Sequence, residues 1–442
     1  MQKSEITPRT HYNWRMDKEL SDWHSVTAAE IQHAQSRISA VIAPTSLQYC
    51  PRLSEQIGAE VYLKREDLQD VRSYKIRGAY NSIVQLSDEE RAAGIVAASA
   101  GNHAQGVAYT CRSLKIHGRI FVPAPTPKQK LNRIKVHGGE WVEVVLTGKN
   151  FDEAAAAAHA YVEESGATMI EPFNARNTVI GQGTVAAEII SQLSSKGKTA
   201  DNVFVPVGGG GLLGGTLSYF ASMSPETTIV GVEPQTAASM QAALANGGPV
   251  TVHGVDPFID GAAVARVGEV NYAIAKENWD RLVMRSANEG AVCTELLELY
   301  QNEGIIAETA GALSVTGLVE FGEIAPGSVN VCIISGGNND VLRYSEIVER
   351  DLVHRGLKHY FLVNFPQEPG QLRGFLTDVL GEDDDIARFE YLKKNNRDVG
   401  TALVGIELAD SANLEPLLSR MRESSLHIQH LRPGTPEYDF LF

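Results

Sequence analysis

Cysteine is scarce in this 442-residue chain: Cys50, Cys111, Cys293 and Cys332 are its only four, widely spaced and without a CxxC pair. Such spacing gives neither a disulfide framework nor a zinc-binding pattern, so no metal is expected. It suits a reducing compartment, the cytoplasm. Long apolar runs are missing too, so no segment reads as a membrane span. The polar stretch from Met1 to Trp23 lacks the apolar centre of a secretory leader. Basic residues are outnumbered, 39 Lys and Arg against 54 Asp and Glu, for a formal net charge of -15. A nucleic-acid partner requires clustered cations to neutralise phosphates, so none is expected.

What is present is the composition of a soluble globular protein, 43% hydrophobic and 21% charged, on a length that calls for more than one domain. Residues 1–45 read as an N-terminal arm, helical in pattern from Ala28 to Val41. Residues 46–350 read as a large α/β body, with a smaller subdomain at roughly 85–175. Its short apolar runs, among them Val61–Lys64, Gly94–Ala98, Gly118–Val122, Val203–Val205, Thr228–Val232 and Val329–Ile334, alternate with helical stretches such as Lys75–Leu86 and His103–Leu114. Continuous apolar strands alternating with helices imply mostly parallel sheets covered on both faces. Residues 351–442 change pattern to β-α-β-β-α-β, the order of a ferredoxin-like module. In it, Glu382-Asp383-Asp384-Asp385 reads as a solvated acidic loop.

Two segments carry the chemistry. Lys75 opens a helix in Ser73-Tyr74-Lys75-Ile76-Arg77-Gly78, with Ser73 placed to cap it. A helix N-terminus disfavours a cation and so favours a nucleophilic or basic amine. An ordinary surface lysine is the competing reading, and this segment alone favours the functional one only somewhat. The run Gly208-Gly209-Gly210-Gly211-Leu212 follows the apolar strand and precedes a helix. Without β-carbons, its N–H groups can converge on one phosphate. It is not a Walker loop, since no Gly-Lys-Ser/Thr follows; Glu233, ending the next strand, leaves a dinucleotide as the weaker rival. An amine that forms an imine, together with a phosphate cradle, points to pyridoxal 5'-phosphate. A second anion nest, Ser99-Ala100-Gly101-Asn102-His103, suits a carboxylate. Ser335, at the carboxyl end of the last apolar strand, is placed to meet a ligand ring; alone it would read as a turn serine, and His103 alone as structural.

In this order the segments resemble the fold-type II pyridoxal-phosphate enzymes and, within them, the threonine dehydratases. The match extends through Lys64-Arg65-Glu66-Asp67-Leu68-Gln69, the Ser-Ala-Gly-Asn-His-Ala-Gln-Gly run at 99–106, Thr126-Pro127 with Lys130, and Ser335-Gly336-Gly337-Asn338. Phe365 to Leu372 and Arg388-Phe389-Glu390-Tyr391 are similar to the regulatory domain of the biosynthetic members, an ACT-like fold. The resemblance implies Lys75 as the Schiff-base lysine and α-proton base, Gly208 to Leu212 on the cofactor phosphate, Asn102 on the ring hydroxyl and Ser335 on the ring nitrogen. It also implies Ser99 to His103 on the substrate carboxylate. The implied reaction turns L-threonine, and L-serine as a second substrate, into a 2-oxoacid and ammonia. Isoleucine and valine are the implied effectors, and a homotetramer the implied assembly. Tyr74, where the family usually has Phe, and Asp70-Val71-Arg72 depart from the common pattern. Serine racemase, serine dehydratase and threonine synthase are rivals within the fold. A sensor of the same fold without activity is the rival outside enzymology, disfavoured by the retained Lys75.

Overall fold

The computed structural model of the protein describes residues 25–322, 324–391 and 398–441. The expectations for Met1 to Trp23 lie outside them. The chain divides into two compact units, one ending at Asp340 and the other starting at Val341.

The first unit holds two open sheets. Strands β1 (Leu47–Tyr49), β2 (Glu60–Arg65), β7 (Asn202–Pro206), β8 (Thr228–Pro234), β9 (Leu282–Ala287) and β10 (Val329–Ile334) form the larger, in the order β1-β2-β10-β7-β8-β9. Only β1 runs antiparallel, against β2. The smaller sheet, β5-β4-β3-β6, is parallel throughout and uses β3 (Ile95–Ala98), β4 (Gly118–Val122), β5 (Val142–Leu146) and β6 (Thr168–Met169). Every side chain of β10 is buried, as expected where helices cover both faces of a parallel strand. The helix Ala28–Ile38 is more than an arm: a capping box between Thr27 and Glu30 starts it, and Ile31 and Ala34 enter the main core. Strands β1, β6 and β9 were not legible as apolar runs. The first two are too short, and β9, an edge strand, is broken by the exposed Arg285 and Ser286.

The second unit carries the antiparallel sheet β12-β13-β11-β14, built from β11 (Lys358–Pro366), β12 (Asp385–Tyr391), β13 (Val399–Glu407) and β14 (His427–Leu431). With the helices Gln371–Asp378 and Leu414–Glu423 this is the ferredoxin-like β-α-β-β-α-β order. Phe361, Val363, Phe375, Val404 and Leu417 fill its core. The acidic loop corrects its sequence reading. Asp384 accepts from the backbone N–H of Gly381 (2.6 Å) and pairs with Arg420 (3.0 Å), with its side chain buried, so one carboxylate of the run holds the turn closed. Among the described residues, no helix is long and apolar enough to cross a membrane, and no group of three or more His, Cys, Asp or Glu could hold a metal ion.

Candidate active site

The lysine segment enters its helix through the larger sheet. The backbone N–H of Tyr74 donates to the Ser335 carbonyl (3.1 Å), and Ser73 forms an isolated bridge with Gly336. Ser73 is therefore not the cap read from the sequence. Its hydroxyl is fully buried with no partner, and the helix Lys75–Ile83 starts without a side-chain cap. The pairing with Gly336 lets no such cap form, but it brings Lys75 to the carboxyl end of β10.

The nest at 99–103 closes on the same point. Asn338 donates from Nδ2 to the Val71 carbonyl and to Asn102 Oδ1, both at 2.8 Å. Gly106 lies against the Lys75–Ile76 backbone, where a β-carbon would come within 3.2 Å. The N–H of Gly101 donates to Ser99 Oγ (3.2 Å). Among the described residues, those of Ala100, Asn102 and His103 reach no protein acceptor. His103 is buried, its Nε2 donating to the Ile170 carbonyl (2.7 Å), and burial pushes its pKa down to about 3. It is a neutral ring anchored to the residue that follows β6.

The glycine turn leaves β7 and starts the helix Gly211–Met223, with Gly210 in the left-handed region at φ +89°. Among the described residues, no protein acceptor takes the N–H groups from Gly208 to Leu212. A run of aligned donors without partners, in a turn where β-carbons would collide with Ala262, Phe173 and Asn271, fits an anion such as a phosphate. Glu233, the residue that kept a dinucleotide in play, is committed elsewhere: it accepts from the N–H groups of Met240 (2.6 Å) and Gln241 (3.1 Å) at the start of the next helix.

Lys75 Nζ donates to the Pro172 carbonyl (3.1 Å). Burial lowers its pKa to about 8, with the Glu308 charge opposing. The helix terminus named in the sequence reading is thus not the main cause. Glu308 is the residue that reading missed. It is buried, accepts from Asn102 Nδ2 (2.7 Å) and abuts Gly336; burial, reinforced by Asp260, raises its carboxyl to about 7. Nothing local marks Glu308 in the sequence, because its partners lie in segments far along the chain. Ser335 is buried, with Oγ donating weakly to the Ala310 carbonyl (3.4 Å). Lys130 pairs with Asp260 (2.6 Å) at the same end of the body.

A buried ionic network lies behind the lysine helix. Arg77 is fully buried and donates to Glu66 (2.8 Å twice), Glu188 (2.7 and 2.9 Å) and Thr184 (3.1 Å). Lys64 pairs with the same Glu188 (2.6 Å). Burial alone would raise Glu66, but the Arg77 and Lys64 charges hold its carboxyl below the usual range.

Comparison with known proteins follows the same division. Residues 38–336 match the pyridoxal-phosphate dependent enzyme family, and residues 349–441 match the C-terminal regulatory domain of threonine dehydratase. The chain is 71% identical to the biosynthetic L-threonine dehydratase IlvA of Corynebacterium glutamicum over 94% of its own length and 95% of that protein's. The chain belongs to the threonine dehydratase family. To its Mycobacterium tuberculosis relative of the same name it is 58% identical over 94% of the chain and 96% of that protein. Among solved structures, the processed form of threonine deaminase isoform 2 from Solanum lycopersicum aligns with TM-score 0.67 at 38% identity, covering 74% of this chain and 95% of that one. Maize serine racemase aligns with TM-score 0.68 at 26% identity, covering 75% and 99%. As a family member the chain is a pyridoxal-phosphate dependent enzyme with a C-terminal regulatory domain.

Proposed function

We propose that the protein deaminates L-threonine to 2-oxobutanoate and ammonia, the first committed step toward isoleucine, with L-serine as a second substrate and isoleucine as feedback inhibitor. One observation carries this: Lys75, its pKa lowered by burial to about 8, bonds the Pro172 carbonyl next to Phe173, whose ring rests on the glycine turn with its unpartnered N–H groups, in a chain that also matches the threonine dehydratase regulatory domain.

Gly208 to Leu212 would hold the cofactor phosphate, Asn102 the ring hydroxyl, Ser335 the ring nitrogen, and Lys75 the aldehyde carbon. When bound, pyridoxal phosphate supplies the electron sink for the substrate's α-carbon. Ser99 to His103 would fix the substrate carboxylate through backbone N–H groups. Once the substrate's amino group has displaced it from the aldehyde carbon, the freed Lys75 Nζ, neutral above about pH 8, would take the α-proton. Ser335 is a neutral hydroxyl and, unlike a carboxylate, stabilises no positive charge opposite it; that favours prompt loss of the β-hydroxyl over a long-lived carbanion. Glu308, with a carboxyl near 7, is the group beside Lys75 able to give or take a proton at neutral pH.

In the second unit, Phe365, Pro366, Gln367, Phe389 and Tyr391 line a cleft of about 310 Å³. Phe365 packs edge-on to Phe375 and Tyr391, at 5.6 and 6.2 Å between ring centres. Aromatic walls beside polar backbone suit a small branched amino acid, so this cleft is the proposed site for isoleucine or valine. A single module per chain favours pairing between subunits, and a homotetramer in the cytoplasm is the assembly and compartment proposed with it.

Product identification tests the activity. The protein loaded with pyridoxal phosphate should turn L-threonine into 2-oxobutanoate. D-serine as the main product from L-serine, with no 2-oxobutanoate from threonine, would favour the racemase reading instead.

A further inference from the structure

We propose that Asn271 is a positioning residue that aims the glycine turn at the cofactor phosphate and ties that turn to Lys75. The inference rests on the reading of the turn as the phosphate site. Asn271 lies in the helix Glu269–Glu277 and is fully buried. Its Nδ2 donates to the Gly209 carbonyl (2.7 Å) and to the Phe173 carbonyl (3.0 Å). The N–H of Gly268 adds a second bond to the Gly209 carbonyl (3.1 Å).

The consequence follows from peptide geometry. In a planar trans peptide the carbonyl of one residue and the N–H of the next point in opposite directions. Two donors holding the Gly209 carbonyl therefore fix the Gly210 N–H on the other side of the turn. That N–H has no protein acceptor among the described residues. Gly210, at φ +89° and with Asn271 Cβ 2.8 Å from where its own β-carbon would stand, has no other residue type available.

The same amide reaches the lysine through the segment Glu171–Ala175. Three successive carbonyls there are taken by three side chains: Glu171 by Thr178 Oγ1 (3.0 Å), Pro172 by Lys75 Nζ (3.1 Å), and Phe173 by Asn271. The ring of Phe173 rests on Gly209, where a β-carbon would come within 2.4 Å of it. Asn174 Oδ1 accepts from the N–H of Val270 (3.3 Å). Removing the Asn271 amide frees the Phe173 carbonyl and loosens the Gly209 carbonyl together.

The test compares pyridoxal 5'-phosphate with pyridoxal, which lacks the phosphate, by titrating apoprotein and reading cofactor absorbance. Asn271→Asp keeps the shape without the two amide N–H donors; Asn271→Ala removes the group and is the second variant should one fail to fold. Each should weaken pyridoxal 5'-phosphate about tenfold or more, equivalent to about 1.4 kcal/mol per tenfold, while pyridoxal affinity shifts less than about twofold. Equal weakening of both would show a merely structural role and overturn the proposal, as would unchanged affinity for both. A wild-type protein that binds pyridoxal as tightly as its phosphate, with no competition by inorganic phosphate, would instead overturn the assignment of the glycine turn.

Discussion

Arg77→Met removes the guanidinium behind the lysine helix while keeping most of its aliphatic stem. In the parent, five N–H···O contacts of 2.7 to 3.1 Å tie Arg77 to Glu66, Glu188 and Thr184, with the side chain wholly out of solvent. The network is balanced, two cations against two carboxylates. The substitution leaves Glu66 and Glu188 facing Lys64 alone, and an uncompensated buried charge costs about 3–5 kcal/mol. At roughly 2 °C per kcal/mol for a body of this size, the first melting transition should fall by about 6–10 °C. Differential scanning calorimetry of the apoprotein reads this without any contribution from cofactor. Glu143→Gln is the control: it breaks a pair whose side chains are 42% and 59% exposed and should cost under about 1 kcal/mol. An Arg77→Met melting point within about 2 °C of the parent would refute the reasoning, because the network would then support little of the fold that holds Lys75.

Lys75→Ala should keep the parent's far-UV spectrum yet lose the visible absorbance of lysine-linked cofactor and essentially all 2-oxobutanoate production; near-normal turnover would contradict its assignment. The apoprotein's rate of cofactor uptake should rise with pH through a midpoint near 8, because the neutral amine attacks and burial has moved its pKa down from 10.5 to about 8. A midpoint near 10 in stopped-flow traces would show an unperturbed lysine. Ser335→Asp should slow elimination and raise the share of racemised or transaminated product, as a carboxylate would hold a proton on the ring nitrogen; unchanged product ratios by chiral chromatography would place Ser335 elsewhere. A chain ending at Asp340 should turn over threonine without responding to isoleucine; retained inhibition would move the effector site into the body.

Lys75, the glycine turn and Ser335 stood out as candidates in the sequence because each lies at a strand or helix boundary, and boundaries leave local signals. The ferredoxin-like order was legible for a similar reason, since its strands and helices follow one another without insertion. Glu308 and Asn271 were not legible. Each is an ordinary residue at or near a helix start, given meaning by contacts with Asn102 and with Gly209 and Phe173, far away in sequence. Ser73 shows the converse: its residue type advertised a cap, but pairing with Gly336 put it in the core. The buried Asp384 within an acidic run shows that charge density alone does not mean solvent.

The central claim is that one chain combines threonine deamination with control by the pathway's end product. Initial rates of 2-oxobutanoate formation from L-threonine, by the full-length protein loaded with pyridoxal phosphate and titrated with isoleucine, test it most directly. The account predicts turnover that falls as isoleucine rises and recovers as threonine is increased. A protein that binds the cofactor but releases no 2-oxobutanoate, or one whose turnover does not change with isoleucine, would contradict it.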